Sequence, residues 1–229
     1  MKIKIEHIFH SGFIVETEDI QMVFDYYKGD IKLKDKTTIV FASHGHSDHY
    51  TKKIFKWQNS ISDINYVLGF DIDNAPVSDN IHLMDAYTSL DIDGVTIKSF
   101  GSTDQGLSFL INYKSINIYF AGDLNWWHWE NDTPEVQKDE ERQFKDEIKK
   151  VERESSKFDL AFSPVDPRLG EGYSFGGRHI IETFKPTYFI PMHFGDKFDT
   201  SERFIHNMGA IDTKIVDINR KNQIVELEV

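Results

Sequence analysis

Residues 38–49 read Thr-Ile-Val-Phe-Ala-Ser-His-Gly-His-Ser-Asp-His. The first six are typical of a buried strand, so the polar groups begin where that strand ends. His44 and His46 are two positions apart, and extended backbone turns both imidazoles to the same side. Asp48 and His49 follow around the turn and face a second position. These are ligands that suit zinc, manganese or iron, so the cluster predicts a site for one or two divalent ions. The alternative, a polar loop whose histidines only hydrogen-bond one another, is disfavoured by so many donors in so short a segment.

The charge balance of the chain narrows its range of partners. Its 229 residues include 38 acidic and 26 basic side chains, which gives a formal net charge of -12. That field repels phosphate backbones, so we expect no nucleic-acid partner. Bound divalent ions would reverse the sign of the charge locally, so a small anionic substrate stays compatible with the sequence.

The sequence contains no cysteine, which excludes disulfides, thiolate metal ligands and a cysteine nucleophile. Residues 1–7 lack the apolar core of a signal peptide. No uncharged apolar stretch approaches the ~20 residues that cross a bilayer. We therefore expect a cytoplasmic protein with no membrane partner.

Hydrophobic periodicity predicts a β-rich chain with helices between groups of strands. Strands are expected at residues 2–6, 13–15, 22–24, 38–43, 66–68, 81–84, 95–100, 107–111, 116–120, 158–162, 188–190, 215–216 and 224–227. Helices are expected at residues 51–57, 134–156, 177–184 and 201–208. The Asp-Gly pair at residues 93–94 predicts a hairpin turn. The charged helix at 134–156 has a thin apolar stripe formed by Val136, Phe144, Ile148 and Val151. With no linker or repeat visible, this order favours one layered α/β domain over residues 1–229.

Three further segments place an acid or a histidine directly after an apolar strand. They are Phe24-Asp25, Ala121-Gly122-Asp123 and Pro191-Met192-His193-Phe194-Gly195. Together with His-x-His-x-Asp-His, they make the chain resemble the metallo-β-lactamase superfamily of metal-dependent hydrolases over nearly its full length. The resemblance implies an α/β fold, a four-layer αββα sandwich with the metal site at one edge between the sheets. It also implies that Asp25 braces a ligand without itself binding the metal.

The same resemblance implies two metal positions that share Asp123. His44 and His46 belong to the first position, and Asp48, His49 and His193 belong to the second. The superfamily usually supplies one more histidine to the first position, but residues 100–106 read Phe-Gly-Ser-Thr-Asp-Gln-Gly. Three alternatives follow: Asp104 or Thr103 replaces it, His128 supplies the ligand, or the first position is weak or empty. Where Asp104 does not bind the metal, we expect it to brace a ligand, as Asp25 does.

Three other residues are candidates for contact with the substrate. The segment His10-Ser11-Gly12-Phe13 resembles the N-terminal hairpin of the branch that contains ascorbate-phosphate lactonase-like proteins, where a histidine sits near the mouth of the metal site. Arg168 follows a strand and suits an anionic group. His128 lies among three tryptophans, either as a packed histidine or as a donor to a substrate oxygen.

The resemblance implies a hydrolase in which a divalent metal lowers the pKa of a bound water to about 7. The expected substrate is a small ester, lactone or phosphoester. Zinc is the expected metal, with manganese or iron as alternatives. Asp48 would also accept a hydrogen bond from the attacking water. The competing interpretation is a catalytically silent metal-binding scaffold or ligand sensor of the same fold, because the first metal position lacks a ligand.

Overall fold

Fourteen strands form two mixed sheets of seven strands each. The structure, a computed structural model, describes residues 1–229. In chain order the strands are β1 (Lys2–Phe9), β2 (Gly12–Glu16), β3 (Ile20–Phe24), β4 (Thr37–Ala42), β5 (Ile64–Gly69), β6 (Ile81–Met84), β7 (Ser89–Ile92), β8 (Val95–Phe100), β9 (Ser108–Tyr113), β10 (Ile116–Phe120), β11 (Leu160–Pro164), β12 (Tyr188–Met192), β13 (Lys214–Ile215) and β14 (Gln223–Glu228). Three α-helices accompany them: α1 (Pro134–Glu154), α2 (Phe175–Phe184) and α3 (Asp199–Met208). Two 3₁₀ helices cover Lys52–Asn59 and Pro167–Ser174.

The chain divides into two compact units, each built around one sheet. The first unit comprises residues 1–85 and 220–229, and the second comprises residues 86–219. The interpretation of residues 1–229 as one domain stays a prediction.

The sheet of the first unit has the strand order β14-β1-β2-β3-β4-β5-β6. Strand β1 pairs antiparallel with β14 and β2, whereas β3 to β6 run parallel. The register pairs Phe24 with Phe41, and their rings stack at a centroid distance of 4.8 Å. The parallel strands therefore end at one edge, which is where Asp25 and Ser43 follow β3 and β4.

The sheet of the second unit has the strand order β13-β12-β11-β10-β9-β8-β7. Strands β7 to β10 form an antiparallel meander, and β10 to β13 run parallel. The register pairs Phe120 with Phe162 and Pro164 with Met192. The residues that follow β10, β11 and β12 are consequently brought to one edge of this sheet.

Helix α1 begins where its sequence chemistry predicts. The Thr133 side chain accepts a hydrogen bond from the amide of Val136, and proline occupies the first turn. Phe144, Ile148 and Val151 are buried, but Val136 is 44% exposed. The apolar stripe of this helix is therefore shorter than the sequence pattern predicts.

Most of the predicted elements are present, with shifted ends. The strands at 81–84, 95–100 and 116–120 have the predicted bounds, and the helix at 51–57 is instead the 3₁₀ helix Lys52–Asn59. Strand β7 was not predicted, although it forms the hairpin with β8 around the Asp-Gly turn. None of the helices combines the length and the hydropathy needed to cross a membrane.

Candidate metal centre

Asp25 organises the donor groups of the first unit. Its buried carboxylate accepts a hydrogen bond from the Ser43 amide at Oδ1 and another from the Ser43 hydroxyl at Oδ2, both of 2.7 Å. His49 Nδ1 lies 2.6 Å from the same Oδ2. One carboxylate thus holds the start of the histidine segment and its last histidine.

These hydrogen bonds determine which ring nitrogen of each histidine carries the lone pair. Asp25 only accepts when ionised, so His49 donates from Nδ1 and, while neutral, keeps its lone pair on Nε2. The Ser43 hydroxyl donates its proton to Asp25 and so accepts from His44 Nδ1 at 2.9 Å. His44 therefore also keeps its lone pair on Nε2. Hydrogen bonds of this kind typically orient metal-binding histidines.

The backbone between His44 and His46 is held from strand β5. The Gly45 amide donates to Asp71 Oδ2 at 2.7 Å, just beyond the end of that strand. The His44 and His46 rings are 4.5 Å apart between centroids, and their ligand atoms lie within 4.8 Å of each other. A Cβ at Gly69 would lie 2.3 Å from the carbonyl oxygen that precedes His44, so β5 approaches this closely only as glycine.

His10 and Asp48 lie beside His49. His10 Nε2 is 3.6 Å from Asp48 Oδ2, and the His10 and His49 ring centroids are 5.6 Å apart. Ligand atoms of all three residues lie within 4.8 Å of one another. The side chain of Asp48 is 46% exposed, so this carboxylate is accessible to a small molecule.

In the second unit, two carboxylates flank His193. Its Nε2 is 3.3 Å from Asp123 Oδ1, and its Nδ1 is 3.0 Å from Asp166 Oδ2. All three side chains are buried. Arg168 Nε donates to both oxygens of Asp166, at 3.0 and 2.9 Å, and its Nη2 is 3.4 Å from His193 Nδ1. Because Asp166 accepts from Nδ1, the neutral ring of His193 also keeps its lone pair on Nε2.

The charges around His193 favour a cation at this place. Burial alone lowers the pKa of His193, but the carboxylates of Asp123 and Asp166 outweigh it and raise the pKa to about 10. Burial raises the pKa of Asp166, yet hydrogen bonds from His193 and Arg168 bring it down to about 2. Asp166 is therefore ionised at neutral pH. A divalent ion bound at His193 Nε2 would displace a proton.

Aromatic rings cover this part of the second unit. Trp127 Nε1 donates to the Asp123 carbonyl at 3.2 Å, and the Trp127 ring meets the His193 ring edge-on at 5.7 Å. Trp129 stacks nearly parallel to Trp127 and is 37% exposed. The Arg168 guanidinium is 5.8 Å from the Trp129 ring, but Asp166 already compensates its charge. Contact between Arg168 and an anionic substrate stays a prediction.

His128 packs within the aromatic cluster. Its ring centroid is 5.1 Å from that of Phe175, and a Cβ at Gly172 would meet the His128 carbonyl oxygen at 2.8 Å. These are the contacts that the packed-histidine interpretation expects. Participation of His128 in catalysis or in metal binding stays a prediction.

In the 100–106 loop, which lacks the expected histidine, the polar side chains of Thr103 and Asp104 do not contact the predicted metal ligands. The Thr103 hydroxyl donates to the Asn125 carbonyl at 2.6 Å and accepts from the Asn125 amide at 3.0 Å. Asp104 is exposed and adds to the rise in the pKa of Glu140, for which burial is the larger cause. None of these contacts involves a predicted metal ligand, so a bracing or replacing role for Asp104 stays a prediction.

Three residues of the site have left-handed backbone. The φ angles are 59° at His10, 40° at Asp25 and 69° at His193, and each residue directly follows a strand. Such strain costs about 1–3 kcal/mol in a residue other than glycine and tends to cluster at functional sites. Here it turns each side chain away from the path of its strand.

Comparison with known proteins identifies the family. The sequence profile described as "Beta-lactamase superfamily domain" matches residues 4–134, which is more than half of the chain. The chain belongs to the β-lactamase superfamily. No curated protein sequence matches it significantly. The predicted likeness to the lactonase-like branch of the superfamily stays a prediction.

Solved structures confirm the metallo-β-lactamase fold predicted from the sequence. Igni18, a metallo hydrolase from Ignicoccus hospitalis, is 15% identical at a TM-score of 0.69, with complete coverage of both chains. YhfI, a metallo-β-lactamase fold protein from Bacillus subtilis, is 12% identical at a TM-score of 0.61, over 98% of this chain and 99% of its own. CmlA, a diiron β-hydroxylase from Streptomyces venezuelae, is 11% identical at a TM-score of 0.66, over 99% of this chain but only 54% of its own. At these identities the likeness establishes the fold alone.

The fold of the β-lactamase superfamily implies a divalent metal, and the donor groups of this member fit one. His44, His49 and His193 each donate from Nδ1 to a carboxylate or a hydroxyl, and each neutral ring therefore keeps the lone pair of Nε2 for a metal ion. Asp123 and Asp48 add carboxylate oxygens. Borderline divalent cations bind readily to such nitrogen and oxygen donors.

Sequence reasoning missed several supporting residues of this superfamily member. The Ser43 hydroxyl connects Asp25 to His44 by two hydrogen bonds, and the Asp71 carboxylate accepts a hydrogen bond from the Gly45 amide. Asp166, two residues before Arg168, was not predicted to be the partner of His193. Asp71 and Asp166 each follow a buried strand closely, which is the signal that identified Asp25, and it would have identified them too.

Proposed function

We propose that this member of the β-lactamase superfamily is a metal-dependent hydrolase of small esters, lactones or phosphoesters. The observation that carries the proposal is the shared tautomer of three imidazoles, each held through a hydrogen bond at Nδ1 so that its lone pair lies on Nε2. Metal-binding histidines typically donate their other ring nitrogen to a carboxylate, a backbone carbonyl or a water, and these three donate to a carboxylate or a hydroxyl. The metallo hydrolase Igni18, which has the same fold, supports the reaction class.

We assign the metal ligands as the set predicted from the sequence: His44, His46, Asp48, His49, Asp123 and His193. Zinc suits imidazole and carboxylate donors, and manganese suits the carboxylates. Iron is the third candidate, supported by the diiron relative CmlA. A divalent ion held there would supply an acidified water and polarise the bond that is cleaved.

The chain's own residues prepare that chemistry. Asp48, which is half-exposed beside His10, accepts a hydrogen bond from the attacking water and orients it. Asp25 and Asp166 keep His49 and His193 in one tautomer, so no reorganisation is needed during the reaction. The buried Asp25 carboxylate also makes its imidazole partner a stronger ligand.

The substrate is proposed to be a small molecule, because the acidic chain disfavours nucleic acid. A sequence without cysteine is compatible with work in a reducing cytoplasm. Both statements stay predictions.

Metal removal and replacement test the proposal. Purified protein would be assayed on para-nitrophenyl acetate, a simple γ-lactone and bis(para-nitrophenyl) phosphate, before and after EDTA. We expect EDTA to abolish hydrolysis and zinc, manganese or iron to restore it. His49→Ala should stay inactive after metal is added, whereas His206→Ala, at an exposed helical position, should behave like the wild type. Fully metal-loaded protein that cleaves no member of a broad panel would contradict the proposal.

A catalytically silent scaffold or ligand sensor is the second candidate. It is favoured by the 100–106 loop, where Thr103 is engaged by the Asn125 backbone and Asp104 is exposed. Metal analysis by mass spectrometry discriminates between the two candidates. Two tightly held ions per chain would favour the hydrolase, and none would favour the scaffold. With one ion, the hydrolysis panel decides.

A further inference from the structure

Two lysines meet over one phenyl ring in the first unit. Lys28 Nζ lies 4.1 Å from the Phe9 ring centroid, and Lys221 Nζ lies 4.5 Å from it. Lys28 follows β3, and Lys221 precedes β14, so distant parts of the chain bring these charges together. The buried Phe9 ring attracts each ammonium through its π-face.

Neither ammonium is neutralised by an acid. The ion pairs of the structure occupy other lysines, such as Lys36 with Glu16 and Lys149 with Asp146, and include neither Lys28 nor Lys221. Two like charges that share one ring repel each other. In a chain with a net charge of -12, such an uncompensated pair is unusual and attracts an anion.

Tyr27 adds a hydrogen-bond donor to this pair. Its ring meets Phe9 edge-on at 6.0 Å, and Lys28 Nζ lies 5.0 Å from its centroid. The hydroxyl of Tyr27 makes no hydrogen bond within the protein. A phenol is protonated at neutral pH and therefore donates to an anion beside the lysines.

Lys28, Lys221 and Tyr27 lie near the proposed metal ligands of the first unit. The His10 ring is 6.5 Å from the Phe9 ring and 6.4 Å from the Tyr27 ring, between centroids. His10 in turn contacts Asp48 and His49. The His10 ring therefore lies between Phe9 and the proposed metal ligand His49, with centroid distances of 6.5 Å to Phe9 and 5.6 Å to His49.

We propose that Lys28, Lys221 and Tyr27 form a subsite for an anionic group of the substrate, a carboxylate or a phosphate. This inference rests on the proposed function for the reaction that follows binding. It names the substrate class: a small ester, lactone or phosphoester that carries a negative group a few bonds from the bond that is cleaved. Arg168 is a weaker candidate for this role, because Asp166 pairs with it.

Direct binding tests the subsite without requiring turnover. Calorimetry would measure the affinity of metal-loaded protein for glutarate and for inorganic phosphate, which separates the two anion types. We expect the Lys28→Ala/Lys221→Ala protein to bind the preferred anion about tenfold more weakly than the wild type. Lys114→Ala/Lys214→Ala is the matched control. It removes the same amount of charge, and each of its lysines also lies over an aromatic ring, a tyrosine at 5.2 Å. This control should retain wild-type affinity.

A pair of substrates then tests the subsite in catalysis. Para-nitrophenyl acetate and the para-nitrophenyl monoester of glutarate share a leaving group and differ in one carboxylate. We expect the double lysine variant to lose about tenfold more kcat/KM on the charged ester than on the neutral one. Tyr27→Phe should show a smaller loss in the same direction.

The outcomes separate the two proposals. Unchanged anion affinity in the double lysine variant, or an equal loss in the control variant, would overturn the subsite. Absence of hydrolysis together with weakened anion binding would overturn the hydrolase while leaving the subsite intact. Lys28 and Lys221 are exposed, so loss of folding is not expected, and the Lys28→Gln/Lys221→Gln protein repeats the test with longer side chains.

Discussion

Asp25 controls two imidazoles with one carboxylate. It holds His49 directly and His44 through Ser43, and its own backbone is left-handed at a φ of 40°. Asparagine adopts that backbone conformation readily, so it replaces aspartate there without added strain. The substitution therefore changes the charge and the acceptor pattern while preserving the shape.

We predict that Asp25→Asn lowers the metal affinity of the protein by about 10- to 100-fold. When the asparagine oxygen accepts from the Ser43 amide, its NH2 group donates at the place where Oδ2 accepted from His49, so His49 loses the acceptor that fixes its tautomer. Competition with a chelating dye measures the affinity. Asp30→Asn, at an exposed position, is the control and should bind metal like the wild type. Equal affinities in the two variants would show that Asp25 does not support a metal ligand.

The sequence allows some of these residues to be predicted and conceals others. Asp25, Asp123 and His193 were identified because each follows an apolar strand, and parallel strands deliver such positions to one edge. Lys28 and Lys221 carry no such pattern. Their approach depends on the pairing of β1 with β14, which a local pattern does not contain.

At the scale of elements, helix α1 shows how periodicity misjudges the end of an apolar stripe. The stripe predicts that Val136 is buried like Phe144, but only the latter is buried. Val136 lies in the first turn, beside the Thr133 cap, where a helix end reaches solvent. Strand β7 was missed for a related reason, because its residues Ser-Leu-Asp-Ile are too few and too polar to give a clear pattern.

We predict that Phe144→Ala lowers the free energy of unfolding by about 3–5 kcal/mol, since it leaves a cavity under the helix. Val136→Ala should change it by less than about 0.5 kcal/mol, because the valine is mostly exposed. Urea unfolding followed by circular dichroism measures both. Comparable losses would mean that the whole stripe packs as the sequence suggests.

At the scale of the whole molecule, His7 links stability to pH. It lies on β1 opposite Gln223 of β14, and its Nδ1 is 3.4 Å from the Arg220 carbonyl oxygen. Burial lowers the pKa of His7 from 6.5 to about 4, although hydrogen bonds to backbone carbonyls oppose the shift. The folded protein therefore keeps this imidazole neutral over a pH range in which the unfolded chain protonates it.

The sign of the effect follows from that difference. Well above pH 6.5 the residue is neutral in both states and does not contribute to the pH dependence of stability. As the pH falls from about 6.5 to about 4, the unfolded state binds a proton that the folded state does not, so stability is lost. We predict that lowering the pH from 7 to 5 costs the wild type about 2 kcal/mol more free energy of unfolding than it costs His7→Gln, which has no imidazole to protonate. Urea unfolding in EDTA at both pH values measures it, with the exposed His206→Gln as the control. Parallel pH profiles for His7→Gln and the wild type would mean that His7 takes up its proton in the folded protein as readily as in the unfolded chain.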